Sequence, residues 1–280
     1  MNHMRPAAKC LLLQGALLAV LASLFAPQTA LASEFALSAS PPRFELRVKP
    51  GERSRQVLEL TNASNAASSY AIKTADWIYA DDNSVTFQEA LSPQSCRSWV
   101  AIERRELTIA GGKAYRYRFE VNTPADAKPG ECRFALLVEG QEQISQTAGG
   151  PPIPFSARLA VVVYAAVGDA EPELSVVGSR VTKLDGMQTP ALQVRNAGLA
   201  HGRVAGFFTG IDASKTQLEF APSNLPILPG ETRWVPLTAT RPGDSETAVQ
   251  AKYPLTISGK AEWGKGKTLA IEQRFDSGPP

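Results

Sequence analysis

An all-β protein of two tandem sandwich domains is what this 280-residue sequence predicts, on three observations. Its 21 prolines and 21 glycines are spread along the chain and punctuate short segments of alternating polarity, the pattern of strands and turns. Beyond residue 32 no segment sustains the three-and-four apolar spacing of an amphipathic helix. The two halves also carry similar half-buried strands, Leu58-Glu59-Leu60-Thr61-Asn62 and Leu192-Gln193-Val194-Arg195-Asn196. Each ends in asparagine, which tolerates positive φ and caps turns; duplication and convergent sandwich chemistry explain the likeness equally well. With 44% hydrophobic and 20% charged residues, the chain can bury a core and is neither disordered nor collagen-like.

The elements follow in order. Arg5 and Lys9 precede an apolar run over 11–26, and Ala30-Leu31-Ala32 is a small-x-small cleavage site. Residues 1–32 therefore read as a secretory signal peptide cut between Ala32 and Ser33, with the periplasm or another export compartment as destination. Gln14 interrupts the run, which argues against a spanning helix. Strands are expected at 44–48, 56–61, 70–78, 107–110, 114–121, 132–138 and 157–167. In 114–121, Tyr115, Tyr117, Phe119 and Val121 share one face, and Arg116, Arg118 and Glu120 the other. Lys49-Pro50-Gly51-Glu52, Lys128-Pro129-Gly130-Glu131 and Leu228-Pro229-Gly230-Glu231 each put Pro before Gly, as a type II turn requires. Ala110-Gly111-Gly112-Lys113 is a further reversal. The short polar break Gly168-Asp169-Ala170-Glu171-Pro172 divides the chain into domains at 33–168 and 169–280.

Charge and residue counts narrow the function. The leader holds two of the 29 Lys and Arg and none of the 27 Asp and Glu, so the exported chain is neutral. Nothing there argues for nucleic acid or an anionic membrane. Only His201, Cys96 and Cys132 remain of their kinds, too few for most zinc sites, and no EF-hand loop is present. With no G-x-S-x-G elbow, His201 in Gly198-Leu199-Ala200-His201-Gly202 reads as loop surface. The chain is expected to be a non-enzyme without cofactor or small-molecule substrate. Asn62-Ala63-Ser64 is a formal glycosylation sequon that reads as a strand-end turn. The four-residue spacing of Gly202, Gly206 and Gly210 reads as bulges or turns. In an exported protein a Cys96–Cys132 disulfide is favoured over two free thiols; Cys132 falls on a core face and Cys96 in a loop, so the geometry is open.

Ser40-Pro41-Pro42-Arg43-Phe44, Lys49-Pro50-Gly51-Glu52 and the strand ending at Asn62 resemble the first domain of PapD-like periplasmic pilus-assembly chaperones. The likeness continues through Leu91-Ser92-Pro93, Trp99 and Pro124-Ala125-Asp126. Arg195-Asn196-Ala197-Gly198-Leu199-Ala200-His201 and Pro226-Ile227-Leu228-Pro229-Gly230-Glu231 resemble the second. The resemblance implies immunoglobulin-like sandwiches and a client held by strand donation. It implies partners among pilins or other exported subunits, and an outer-membrane usher. Carried over residue by residue, it makes Arg43 and Arg158 the anchor for the client's terminal carboxylate, a task suited to the guanidinium fork. It makes Ile153 and Phe155 the apolar residues of the donor stretch. Two departures stand out: the prolines around Ile153 remove ladder donors, and Asp126-Ala127-Lys128-Pro129-Gly130-Glu131-Cys132 replaces the family's acidic-Arg-Glu signature. The alternative is a structural or adhesive envelope module on the same fold.

Overall fold

The computed structural model describes residues 35–91, 95–145 and 153–276. The leader and its Ala32/Ser33 junction lie outside the described residues. The protein is all-β, with two sandwiches in tandem.

In the first sandwich one sheet has the order β1 (Leu37–Ser40), β3 (Arg53–Asn62), β8 (Lys113–Asn122), β6 (Val100–Ile102). The facing sheet runs β2 (Arg43–Val48), β12 (Arg158–Val167), β9 (Gly130–Gly140), β4 (Ser68–Tyr79), β5 (Val85–Gln88), and β7 (Glu106–Ile109) also pairs with β4. Between β1 and β2 the chain crosses from one sheet to the other at the cis Ser40–Pro41 peptide. The alternation in β8 does what the sequence predicts, burying Tyr117, Phe119 and Val121. Phe119 meets Phe44 and Phe134 edge-on, at centroid distances of 5.1 and 6.2 Å. Each such side chain contributes on the order of 1.5–3 kcal/mol by burial. β9 is different: Phe134, Ala135, Leu136, Leu137 and Val138 are all buried, so it is covered on both faces. That is why this segment, like 159–167, reads as an apolar run with little alternation. Cys96 and Cys132 are joined in a disulfide that ties the loop after β5 to β9.

The second sandwich is one continuous sheet in the order β13 (Leu174–Leu184), β14 (Met187–Asn196), β17 (Thr232–Arg241), β16 (Gln217–Pro222), β15 (Ala205–Ile211), β19 (Leu255–Trp263), β20 (Lys267–Phe275); β18 (Asp244–Ala248) also pairs with β17. It makes two layers because β17 changes partner midway. Residues Thr232 to Pro236 pair with β14, and Leu237 to Thr240 pair with β16. Leu192, Phe208, Phe220, Ile227, Leu237 and Ile257 are fully buried between the layers. Asp185 and Gly186, with φ of 48° and 80°, close the β13–β14 hairpin as a two-residue turn of the I′ kind. Separately, β10 (Gln143–Ser145) and β11 (Ile153–Phe155) pair antiparallel as a two-stranded sheet.

The paired asparagines are structural twins. Asn62 Nδ2 donates to Ala66 O (2.8 Å) and Ile109 O (3.0 Å), and its Oδ1 accepts from Ser64 N (3.0 Å). Asn196 Nδ2 donates to Ala200 O and Ile227 O (both 2.8 Å), and its Oδ1 accepts from Gly198 N (2.9 Å). Both side chains are wholly buried, so Asn62 is a strand-end turn and no sugar acceptor. Two of the three Pro-Gly turns are twins as well. Glu52 N and Glu231 N each bond back to the residue three before, and each glutamate side chain returns to that residue's N–H. Gly51 and Gly230 take φ of 77° and 80°. The third differs: Gly130 already pairs with Val167 in the β9–β12 ladder, so that stretch opens a strand and makes no type II turn. Gly206 takes φ of 122° where a Cβ would lie 2.1 Å from Lys260 O, a close backbone approach and no helix packing motif.

The break between the sandwiches is pinned. Ala170 is buried with Ala166 and Ala200, and Glu171 bonds Arg47 (2.7 Å) and Lys265 (2.9 Å).

Candidate functional site

Period two fixes which side chains leave the first sandwich on the face opposite Phe134 and Val163. Arg43 sits opposite Val162, Glu45 opposite Tyr164, Tyr164 opposite Arg133, and Val162 opposite Ala135. Ala75, Ala135 and Leu137, with Trp77, Phe87, Ala160 and Val162 against them, form an apolar stripe on this face. Ion clusters bound it at both ends. At one end Arg158 and Lys73 share Glu139 and Glu89; Lys73 Nζ lies 2.7 Å from Glu139 and 3.0 Å from Glu89.

The other end is shared by both sandwiches. Glu45 Oε1 receives Arg43 Nε at 2.7 Å, Arg203 Nε at 3.4 Å and His201 Nε2 at 3.7 Å. Glu131 Oε2 takes both His201 Nδ1 (2.6 Å) and His201 N (2.8 Å). The imidazole stacks on Tyr164 at 3.9 Å. A cavity of about 320 Å³ opens here, lined among others by Glu45, Arg47, Tyr164, His201, Arg203 and Lys265. His201 is therefore interior, its side chain 10% exposed, and not the loop surface the sequence implied. Its local turn is as expected; the partner that buries it comes from a distant strand, and no local pattern announces that. Glu45 and Arg203 were missed for the same reason.

Arg43 and Arg158 share a face, but Arg158 lies four residues before the Val162 that pairs with Arg43, about 13 Å along the strand. They stand in separate clusters, with side chains 39% and 40% exposed, each holding an acid of this chain. β2 covers β12 only from Val162 onward, so Arg158 to Val161 have ladder partners on the β9 side alone. Ile153 lies on β11 opposite Ser145 and is 54% exposed; Phe155 lies opposite Gln143.

The chain matches no protein-family model and no curated protein. Among solved structures it is similar to the class 5 fimbriae chaperone CfaA, at 12% identity and a TM-score of 0.45 over 86% of this chain and 99% of that one. It is also similar to the CsuC–CsuE chaperone–tip adhesion subunit pre-assembly complex from archaic chaperone-usher Csu pili of Acinetobacter baumannii (14%, TM-score 0.43, 84% and 97%). A third is the Pseudomonas aeruginosa CupB2 chaperone (11%, TM-score 0.42, 85% and 100%).

The shared cluster makes stability depend on pH at both ends. The neighbouring His201 imidazolium, then Arg43 and Arg203, hold the Glu45 carboxyl down to about 2, against the opposing effect of burial. Burial pulls the His201 imidazolium down, but the hydrogen bond to Glu131 and the nearby Glu45 carboxylate outweigh it and keep its pKa above the ordinary 6.5. The Glu45 contribution is present above 4.5 and is lost as pH falls toward about 2. The His201 contribution is complete below 6.5 and is lost as pH rises through the raised value. Denaturation midpoints should thus peak between the two ordinary values and decline on either side. In His201→Gln the alkaline decline should flatten; a decline parallel to the wild type would refute the linkage.

Proposed function

We propose that the protein is a periplasmic, non-enzymatic chaperone-like binder of exported pilus or fimbrial subunits. The carrying observation is the half-covered edge of β12 beside Arg43. An open ladder at Arg158 to Val161 can accept or donate a strand, and Arg43 next to it can hold a terminal carboxylate that sets the register. The sequence resemblance through Ser40-Pro41-Pro42-Arg43-Phe44 supports the same assignment, and the disulfide fits an oxidising compartment. Arg43 is the principal anchor because Arg203 and His201 add positive charge around it, whereas Arg158 is already shared between Glu139 and Glu89. Ile153, solvent-facing, supplies an apolar donor contact, with Phe155 beside it in sequence.

Arg43→Ala should leave the chaperone folded and weaken co-purification of its subunit by about tenfold or more, the scale of a lost charge-assisted bond. Arg158→Ala should weaken it less. Full client binding and subunit export by both variants would reject the anchor and leave the envelope-module reading in its place.

A further inference from the structure

Three cations converge on one oxygen where the sandwiches meet. Glu45 Oε1 is 2.7 Å from Arg43 Nε, 3.4 Å from Arg203 Nε and 3.7 Å from His201 Nε2. Arg43 and Glu45 stand on β2 of the first sandwich, while His201 and Arg203 lie between β14 and β15 of the second. Arg203 is fixed by its Nη1 bond to Asn224 O at 2.7 Å. A seat among cations is what the proposed anchor offers a client's carboxylate, and here a side chain of the protein itself takes it. Glu45 is nonetheless 44% exposed, and its bond to Arg43 uses Nε, not the end-on Nη pair that grips a carboxylate as a fork.

The proton on His201 sets the charge of this seat. A carboxylate oxygen only accepts, so Nδ1, 2.6 Å from Glu131 Oε2, donates and keeps its hydrogen. The hydrogen that comes and goes is the one on Nε2, the nitrogen nearer Glu45. The ring is stacked on Tyr164 with its side chain 10% exposed, so its charge is only weakly screened. Around it stand Arg43, Glu45 and Arg47 on β2, Glu131 and Arg133 on β9, Tyr164 on β12, Arg203 in its own segment, and Lys265 with its partner Glu171. Among these residue types only histidine has an ordinary pKa near neutrality. With the proton on, the cations His201, Arg43 and Arg203 outnumber the acids Glu45 and Glu131; with it off, the charges balance. A carboxylate arriving at Arg43 is matched by the protonated cluster and unmatched by the neutral one.

We infer, resting on the carboxylate anchor proposed above, that this junction takes up a client's carboxylate and a proton together. Glu45 fills the anchor while it is empty, and the His201 imidazolium offsets Glu45 once the client's carboxylate arrives. Both are positioning residues that act through Arg43. The sign follows from linkage. Capture is tightest with His201 protonated and weakens as pH rises through its pKa; by reciprocity, the bound carboxylate raises that pKa.

Beyond the leader His201 is the only histidine, so one 13C-labelled imidazole signal reports the site without assignment. The protein of residues 33–280 is titrated with the peptide N-acetyl-Thr-Val-Thr-Val-Thr, which alternates to suit a strand edge, and with its C-terminal carboxamide. The carboxylate peptide should raise the His201 pKa by about one unit, and its affinity should fall about tenfold as pH rises through that range. The carboxamide should do neither. His201→Gln should keep the preference for the carboxylate but lose its pH dependence, and Glu45→Gln should bind the carboxylate peptide more tightly than wild type at high pH. A carboxylate preference that does not change with pH, or unchanged binding in Glu45→Gln, would overturn the coupling and leave the anchor standing. No preference at any pH, absent binding included, would remove the anchor and the coupling with it.

Discussion

Replacing Cys96 and Cys132 by alanine together should lower the stability of the first sandwich by about 4 kcal/mol. The two cysteines are 36 positions apart, so the bond closes a long loop in the unfolded chain, and the loop-entropy relation gives that size. The native contacts explain why the loss is not recovered. Cys132 is on the core face of β9 and Cys96 is nearly as buried, so the bond holds an irregular segment against a central strand. Arg97, just after it, spends its guanidinium on Thr74 O (2.6 Å) and Glu89 O (3.0 Å), bonds that need the segment in place. Denaturant unfolding of wild type with and without reductant, beside the double variant, measures the effect. The reduced wild type should follow the variant. Superimposable curves for oxidised and reduced protein would show that the bond does not stabilise the fold.

Arg233→Ala should cost on the order of 3–5 kcal/mol, the scale for removing one partner of a buried ion pair. Arg233 sits on β17 at 6% exposure and reaches into the first sandwich. Nη1 donates to Ala80 O and Nη2 to Tyr79 O, both at 2.8 Å, while Nε and Nη2 hold the two oxygens of Glu231. Its guanidinium also lies 3.8 Å over the Tyr79 ring. Truncation strands two carbonyls and a carboxylate and removes a tie between the sandwiches. Lysine keeps the charge but cannot make the planar fork, so Arg233→Lys should fall between alanine and wild type. Equal midpoints for all three proteins would mean that the tie contributes nothing.

The sequence carried what is local. Alternation in 114–121 announced β8, and the twin strands ending in Asn62 and Asn196 announced two motifs that share three equivalent side-chain bonds. Asp185-Gly186 was legible as a hairpin turn, and the reading passed over it. What depended on distant partners was not legible. His201 looked like loop surface because Glu131, which buries it, belongs to another strand. Gly130 kept the residue pattern of a turn while the ladder with Val167 required a strand. The two arginines came from the resemblance alone; the β2–β12 register shows that they share a face, and the ion pairs show which acids each one holds.

The parallel pairing of β2 with β12 also orders events in time. A chain emerging from its amino end makes β2 first, yet Arg43 pairs with Val162 and Val48 with Val167, at the far end of the same sandwich. Until β12 has emerged, β2 has no neighbour and the sheet it belongs to lacks the strand between it and β9. Contacts so far apart along the chain form late and slowly. Until then the nascent protein is a sandwich with an unfinished side, in the same predicament as the subunits proposed to be its clients.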